Sequence, residues 1–148
     1  MLRIYGTCIA LSGFGVLLRG PSGSGKSDLA LRLIDGGARL VADDQVELTL
    51  RSGRPVARAP QALAGLLEVR GLGIVSVETL AEAPLGLVVD LVAVEAVERL
   101  PETEFCTLLD RPLRRLALVP FHASTPAKLR LAAALLAAGA LDPVPSRP

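Results

Sequence analysis

The sequence is poor in aromatic residues, carries almost no net charge and lacks long hydrophobic runs. Aromatic side chains make up 3% of the 148 residues and tryptophan is absent, which disfavours nucleic-acid binding by base stacking. Sixteen basic and fifteen acidic residues leave a formal net charge of +1, so no strong field attracts nucleic acid or anionic lipid. No apolar run approaches the roughly 18–20 residues of a membrane span. We therefore expect neither nucleic acid nor membrane among the partners.

Cysteine is also scarce. Cys8 and Cys106 lie far apart and fit no C-x-x-C or zinc-ligand spacing, so we interpret them as reduced thiols of a cytoplasmic protein. The length fits one domain, which we place at residues 1–141, followed by a proline-rich and disordered tail at 142–148. The hydrophobic content of 51% favours strands buried on both faces, or a subunit interface.

Apolar segments bounded by turn residues predict a mixture of strands and two helices. We expect neighbouring strands at 4–11 and 15–19, a helix at 26–34 that ends at two glycines, and a strand at 39–42. The rest is predicted as a hairpin of 46–50 with 55–59, short helical turns within 63–70, extended segments at 74–77, 85–94 and 116–119, and a helix at 127–138 with Thr125 as its cap.

A glycine-rich segment between the second strand and the first helix satisfies the pattern G-x-x-x-x-G-K-[ST]. Its residues are Gly20, Pro21, Ser22, Gly23, Ser24, Gly25, Lys26 and Ser27. Small side chains allow backbone N–H groups to surround phosphate oxygens, and the helix N-terminus adds partial positive charge. Lys26 is expected to reach the β- and γ-phosphates, and Ser27 to coordinate Mg²⁺. The pattern predicts binding of ATP and Mg²⁺, followed by phosphoryl transfer.

Phosphoryl transfer to a hydroxyl also needs carboxylates, and two places offer them. Asp43 and Asp44 end the strand that follows the first helix, whereas Asp90 follows apolar residues in the manner of a Walker B aspartate. Ligands of open α/β sheets bind at the carboxyl ends of strands, so both placements are reasonable. Farther along, Glu68 and Arg70 precede a glycine-rich stretch and could supply a metal ligand and a phosphate clamp.

Taken together, residues 15–31, 39–44 and 66–74 resemble the catalytic domain of HPr kinase/phosphorylase. The resemblance implies an α/β P-loop fold akin to phosphoenolpyruvate carboxykinase, with a mixed sheet and flanking helices. It implies an enzyme that uses ATP and Mg²⁺ to phosphorylate a serine of HPr, the phosphocarrier of the sugar phosphotransferase system. It also implies removal of that phosphate by phosphorolysis, release of pyrophosphate, and assembly as a homo-hexamer. The chain resembles a short form without the N-terminal domain of longer members.

Roles for individual residues follow from the same resemblance. It implies that Asp44 accepts the serine proton in the kinase direction and returns it in reverse, with Asp43 as its companion. Glu68 resembles a second Mg²⁺ ligand and Arg99 a catalytic arginine. Residues 111–114, which include Arg114, resemble a loop associated with dephosphorylation.

The chain departs from the family pattern at one position. Tyr5 stands where longer members carry a catalytic histidine, and a phenol does not exchange protons near neutral pH as an imidazole does. The single histidine, His122, is interpreted as a loop residue before the last helix. Two other functions therefore stay open: a P-loop kinase of small metabolites, although residues 111–115 are short for a lid, and a non-catalytic ATP-binding sensor.

Overall fold

Residues 1–141 are described in the computed structural model, and the predicted disordered tail at 142–148 lies outside them. The strands are β1 (Leu2–Tyr5), β2 (Thr7–Leu11), β3 (Phe14–Arg19), β4 (Arg39–Ala42), β5 (Gln45–Arg51), β6 (Arg54–Arg58), β7 (Leu66–Val69), β8 (Gly73–Ser76), β9 (Glu82–Leu91), β10 (Glu104–Leu108) and β11 (Arg111–Leu118). The helices are α1 (Lys26–Asp35) and α2 (Thr125–Ala137), and short 3₁₀ turns cover Gln61–Leu63 and Val94–Ala96.

Nine strands form one mixed sheet, and β7 and β8 form a separate antiparallel pair. The order β1-β5-β6-β9-β3-β2-β4 places β9 at the centre, parallel to both β3 and β11 and antiparallel to β6. The predicted pairing of the strands at 7–11 and 14–19 is confirmed. The fold is the predicted mixed α/β class.

Alternating side chains of the central strands pack into two separate hydrophobic cores, one on each face of the sheet. Val16 and Leu18 of β3 pack with Leu29 and Leu33 of α1, whereas Leu17 packs against the other face of the sheet. Helix α2 joins the first core through residues that include Leu129 and Ala132. Because strand side chains alternate between faces, burial on both faces accounts for the high apolar content.

The structure differs from the sequence prediction in four places. Gly6 divides the predicted strand at 4–11 into β1 and β2. The helical turns predicted within 63–70 are wrong, since strand β7 occupies the middle of that segment and the nearest 3₁₀ turn, Gln61–Leu63, ends at its first residue. The loop expected at 111–114 is the start of strand β11, and β10, which pairs with it, was not predicted. In the last three places antiparallel pairing across a hairpin, of β7 with β8 and of β10 with β11, overrides a weak local preference.

Helix α2 was predicted almost correctly, but its cap differs. Ser124 occupies the N-cap position, and Thr125 is the first helical residue. The Thr125 hydroxyl donates a hydrogen bond to the carbonyl oxygen of Val119, which ties the start of the helix to the end of the preceding segment. Within residues 1–141, neither helix is long and apolar enough to cross a membrane.

Candidate functional site

The glycine-rich loop at residues 20–27 opens onto a cavity of about 620 Å³. It connects the end of β3 with the start of α1, so the first-turn N–H groups of the helix face the same region. The lining includes the loop, two aspartates of the turn after β4, one glutamate of β7, and Arg70. The predicted phosphate loop and most of the predicted site residues therefore meet in one place.

Glycine is required at two positions of the loop. Gly23 and Gly25 have φ values of 81° and 99°, in the left-handed region that favours glycine. A Cβ added at Gly25 would also lie 2.8 Å from Phe121 Cζ and 2.9 Å from Pro120 Cβ. The loop thus presents backbone rather than side chains to the cavity, as a phosphate-binding loop requires.

Lys26 lies across this loop. Its Nζ donates hydrogen bonds to the carbonyl oxygens of Gly20 at 2.6 Å and Pro21 at 2.9 Å. The ammonium group is therefore held at the cavity, within the loop that would surround a phosphate. A positive charge there is suited to phosphate oxygens.

Asp43 is the buried member of the aspartate pair, with 6% of its surface exposed. Its Oδ1 accepts hydrogen bonds from the hydroxyls of Thr7 at 2.8 Å and Ser27 at 2.9 Å, and its Oδ2 accepts one from the backbone N–H of Glu68 at 3.1 Å. One carboxylate thus joins β2, α1 and β7. These three hydrogen bonds hold the carboxylate in place, and the carboxylate in turn positions Thr7, Ser27 and the backbone of Glu68.

Asp44 lines the same cavity but is exposed. Its φ of 70° is left-handed, a conformation that aspartate tolerates better than most residues. Its carbonyl oxygen accepts a hydrogen bond from the Gly6 N–H at 3.1 Å, which holds the turn between β4 and β5. The fold therefore gives the two adjacent aspartates different environments, one internal and one open to the cavity.

Glu68 and Arg70 reach the cavity from β7 and the turn that follows it. The side chain of Arg70 lies beside the loop, because a Cβ added at Gly23 would be 3.8 Å from its Nη2. Glu68 is exposed, with its N–H held by Asp43. In the described part of the chain no cluster of three or more His, Cys, Asp or Glu side chains could hold a metal. Mg²⁺ at this site would therefore take most of its ligands from phosphate and water, as it commonly does.

Asp90 is engaged elsewhere. Its carboxylate accepts two hydrogen bonds from Arg19 and one from Arg115. Burial opposes ionisation of Asp90, but these guanidinium groups outweigh it and lower its pKa. Asp90 is not among the described residues that line the cavity. The geometry therefore favours Asp43 and Asp44 over the Walker B interpretation of Asp90.

The two predicted catalytic arginines lie away from this cavity in a single copy of the chain. Arg99 and Arg114 line a second cavity of about 630 Å³, formed beside β11. Arg114 is buried and donates to the carbonyl oxygens of Glu104 and Arg115. Its visible role is to support the hairpin of β10 and β11.

Tyr5 lines the cavity beside the glycine-rich loop, with 77% of its surface exposed. Tyr5, the residue expected to replace a histidine of the resembled family, thus reaches the cavity. His122 contributes its carbonyl oxygen to a hydrogen bond from Arg32, and it is not among the described lining residues. Its interpretation as a loop residue agrees with its place between β11 and α2.

Two contributors to the site were not predicted from the sequence. Thr7 is fully buried and donates to Asp43, and Phe121 lines the cavity against Gly25. A threonine in an apolar strand carries no distinctive signal. Phe121 carried a weak signal, because aromatic residues are rare in this sequence, which has three phenylalanines and one tyrosine.

Comparisons with known proteins point in one direction. The family model described as "HPr Serine kinase C-terminal domain" matches residues 1–110. The HPr kinase/phosphorylase of Clostridium beijerinckii is 49% identical over 78 residues, which cover 53% of this chain and 26% of that protein. The HPr kinase/phosphorylase of Limosilactobacillus reuteri is also 49% identical over 78 residues, covering 52% and 24%. The alignments thus span about a quarter of the length of these curated relatives.

A solved structure, the Hpr(Ser) kinase/phosphatase from Coxiella burnetii, superposes with a TM-score of 0.79 at 23% sequence identity. The superposition covers 88% of this chain and 87% of that one. At this level of identity the likeness establishes the shared fold. The mixed sheet with its two helices is therefore an architecture already seen among such proteins.

Proposed function

Because the chain belongs to the family of HPr serine kinase C-terminal domains, we propose that it is a cytoplasmic ATP- and Mg²⁺-dependent kinase that phosphorylates a serine of HPr. We include the reverse reaction, phosphorolysis of seryl-phosphorylated HPr, and assembly as a homo-hexamer. The observation that carries the proposal is the meeting of the phosphate loop with Asp43, Asp44 and Glu68 in one cavity. Residues 1–141 would form the catalytic domain.

In this proposal the loop holds the triphosphate and Lys26 contacts its β- and γ-phosphates. Ser27 and Glu68 would hold Mg²⁺, which when bound neutralises charge on the phosphate oxygens. The hydrogen bond from Ser27 to Asp43 orients the serine hydroxyl. Arg70, which lies beside Gly23, would clamp a phosphate group.

Asp44 is the proposed proton acceptor because its carboxylate is exposed to the cavity while that of Asp43 is committed to three donors. The HPr serine hydroxyl gives its proton to Asp44 as its oxygen bonds to the γ-phosphorus, and the bond from that phosphorus to the β–γ bridging oxygen breaks to leave ADP. In reverse, an oxygen of inorganic phosphate attacks the seryl phosphorus, serine leaves with a proton from Asp44, and pyrophosphate forms.

The test measures transfer of labelled γ-phosphate from ATP to purified HPr, with HPr whose acceptor serine is replaced by alanine as the substrate control. Asp44→Asn is expected to lower the rate by about 10²- to 10⁴-fold, the usual contribution of general base catalysis. Asp35→Asn is the matched control, because Asp35 is an exposed aspartate at the end of α1 outside the cavity lining.

The outcomes separate the competing functions. Transfer to HPr that Asp44→Asn abolishes supports the kinase, and release of pyrophosphate from seryl-phosphorylated HPr and inorganic phosphate supports the reverse activity. ATP binding without transfer, together with a nucleotide-dependent change of oligomer size, would instead identify a sensor. Transfer to a sugar or an acid in a metabolite panel, but not to HPr, would identify a small-metabolite kinase.

A further inference from the structure

An exposed aromatic ring stands beside the phosphate loop. Phe121 is 64% exposed, lines the cavity, and lies so close to Gly25 that a Cβ there would be 2.8 Å from its Cζ. Single apolar side chains are often exposed on protein surfaces, but this one lies in the lining of a concave cavity that also holds charged groups, as in a small-molecule site. Its position beside a phosphate loop indicates a small-molecule ligand.

The backbone that carries the ring is held firmly. Arg32 of α1 donates hydrogen bonds to the carbonyl oxygens of Pro120 and His122, on both sides of the ring, and pairs with Asp28. The hydroxyl of Thr125 donates to Val119. The backbone that carries the ring is thus fixed relative to the helix that begins at the phosphate loop, and less entropy is lost on ligand binding when the backbone is already ordered.

The cavity lining contains both carboxylate and apolar side chains. The carboxylates of Asp43 and Asp44 follow β4 and that of Glu68 lies on β7. Leu31 of α1 and Phe121 of the loop before α2 are apolar, and hydrogen bonds from Arg32 join these two segments. Carboxylates suit a metal ion and a reacting hydroxyl. A flat, weakly polar heterocycle is instead favoured by a ring face and an aliphatic side chain.

We propose that Phe121, together with Leu31 of the same cavity lining, forms the subsite for the nucleobase of the nucleotide. The proposal rests on the proposed function, because it assumes that the loop holds the phosphates of ATP. The base stacks on the ring of Phe121 while the phosphates reach Lys26. Stacking uses the face that every base has, so the subsite accepts purines without strong discrimination between adenine and guanine.

The experiment compares ATP with inorganic tripolyphosphate, which carries the phosphates without the base, by titration calorimetry in the presence of Mg²⁺. Phe121→Ala is expected to weaken ATP binding by about 5- to 150-fold, the range found when a stacking side chain is removed. It should leave tripolyphosphate affinity within about twofold. GTP should lose affinity by the same factor as ATP. Phe121→Tyr, which keeps the ring, should retain ATP affinity.

Phe121→Trp supplies a second readout that does not depend on a truncated side chain. The chain has no tryptophan, so the new indole is the sole emitter of its kind. ATP should quench its fluorescence, whereas tripolyphosphate should not. Leu131→Ala is the matched control, because Leu131 is 61% exposed on α2 and outside the cavity lining. It should change neither affinity.

Several results would overturn the subsite. Equal losses for ATP and tripolyphosphate in Phe121→Ala would mean that the ring only supports the loop. A loss specific to ATP in Tyr5→Ala, with none in Phe121→Ala, would place the base against the other aromatic lining residue. If the unmodified chain bound tripolyphosphate as tightly as ATP, no base subsite would exist. Failure of the unmodified chain to bind either ligand would refute the proposed function together with this subsite.

Discussion

Replacing Asp43 with asparagine is expected to destabilise the fold much more than the same change at Asp44. The Asp43 carboxylate is 6% exposed and accepts three hydrogen bonds, two from hydroxyls on Oδ1 and one from the Glu68 N–H on Oδ2. An amide group offers one oxygen and one NH₂ in their place. In either orientation of the amide, its NH₂ group points at a hydroxyl or N–H donor that the carboxylate had accepted from, and that donor loses its acceptor.

The magnitude follows from this count. Loss of the charge weakens each of the two remaining hydrogen bonds by about 1 kcal/mol, and an unsatisfied buried N–H costs about 1–3 kcal/mol. The neutral amide is easier to bury than a carboxylate, which offsets part of this loss. We expect a net decrease of about 2–3 kcal/mol in the free energy of unfolding. For a chain of this size that corresponds to a Tm lower by about 4–12 °C.

The assay is urea and thermal unfolding followed by far-ultraviolet circular dichroism, since the chain has no tryptophan. Asp44→Asn is the matched control, because Asp44 is exposed and asparagine tolerates its φ of 70°. It should shift the free energy of unfolding by no more than about 0.5 kcal/mol. If both variants unfold within that margin of each other, Asp43 does not join the three elements as described.

Four further predictions concern single side chains. Lys26→Ala should weaken ATP·Mg²⁺ binding at least about tenfold in calorimetry, because it removes a charge that contacts phosphate, and unchanged affinity would contradict the phosphate-loop assignment. Asp90→Asn should lower the free energy of unfolding by about 1–2 kcal/mol at pH 7. The pKa of Asp90 is lowered in the folded state, so its ion pairs stabilise the fold fully above the unfolded-state pKa of about 4, and this stabilisation is lost as the pH falls through the folded-state pKa. If the unmodified chain and the variant differ in free energy of unfolding at pH 2 as much as at pH 7, the ion pairs are not the cause. Gly25→Ala should lower stability by about 1–3 kcal/mol, owing to its positive φ and the contact with the neighbouring ring; a thermal melt identical to the unmodified chain would argue otherwise. Burial raises the pKa of the Cys8 thiol to about 12, and also raises that of Cys106, so at pH 8 a thiol reagent should label partly exposed Cys106 first and Cys8 only after denaturation, as read by mass spectrometry.

Patterns that lie within a few residues were sufficient for much of the architecture. The spacing of small residues before Lys26 predicted a glycine-rich loop between a strand and a helix, and the structure has that loop between β3 and α1, with positive φ at Gly23 and Gly25. Helix α1 followed from apolar residues at helical spacing and two terminal glycines, and the β5–β6 hairpin from its turn residues. The family resemblance also rested on short motifs, which the match over residues 1–110 confirms.

Strand β7 shows where local patterns failed. Its four residues were predicted as helical turns, and only pairing with β8 makes them a strand. The same strand brings Glu68 to the cavity and donates its N–H to Asp43, which lies 25 residues earlier.

Tertiary contacts also selected among the candidate carboxylates. Asp43, Asp44 and Asp90 all follow runs of apolar residues and look alike in the sequence. Their environments differ because Asp43 accepts a hydrogen bond from Thr7, 36 residues earlier. Asp90 instead accepts hydrogen bonds from Arg19 and Arg115. The loop could be recognised from its own residues because it needs only backbone freedom, whereas the identity of the free carboxylate and the place of Phe121 depend on which distant segments the sheet and helices bring together.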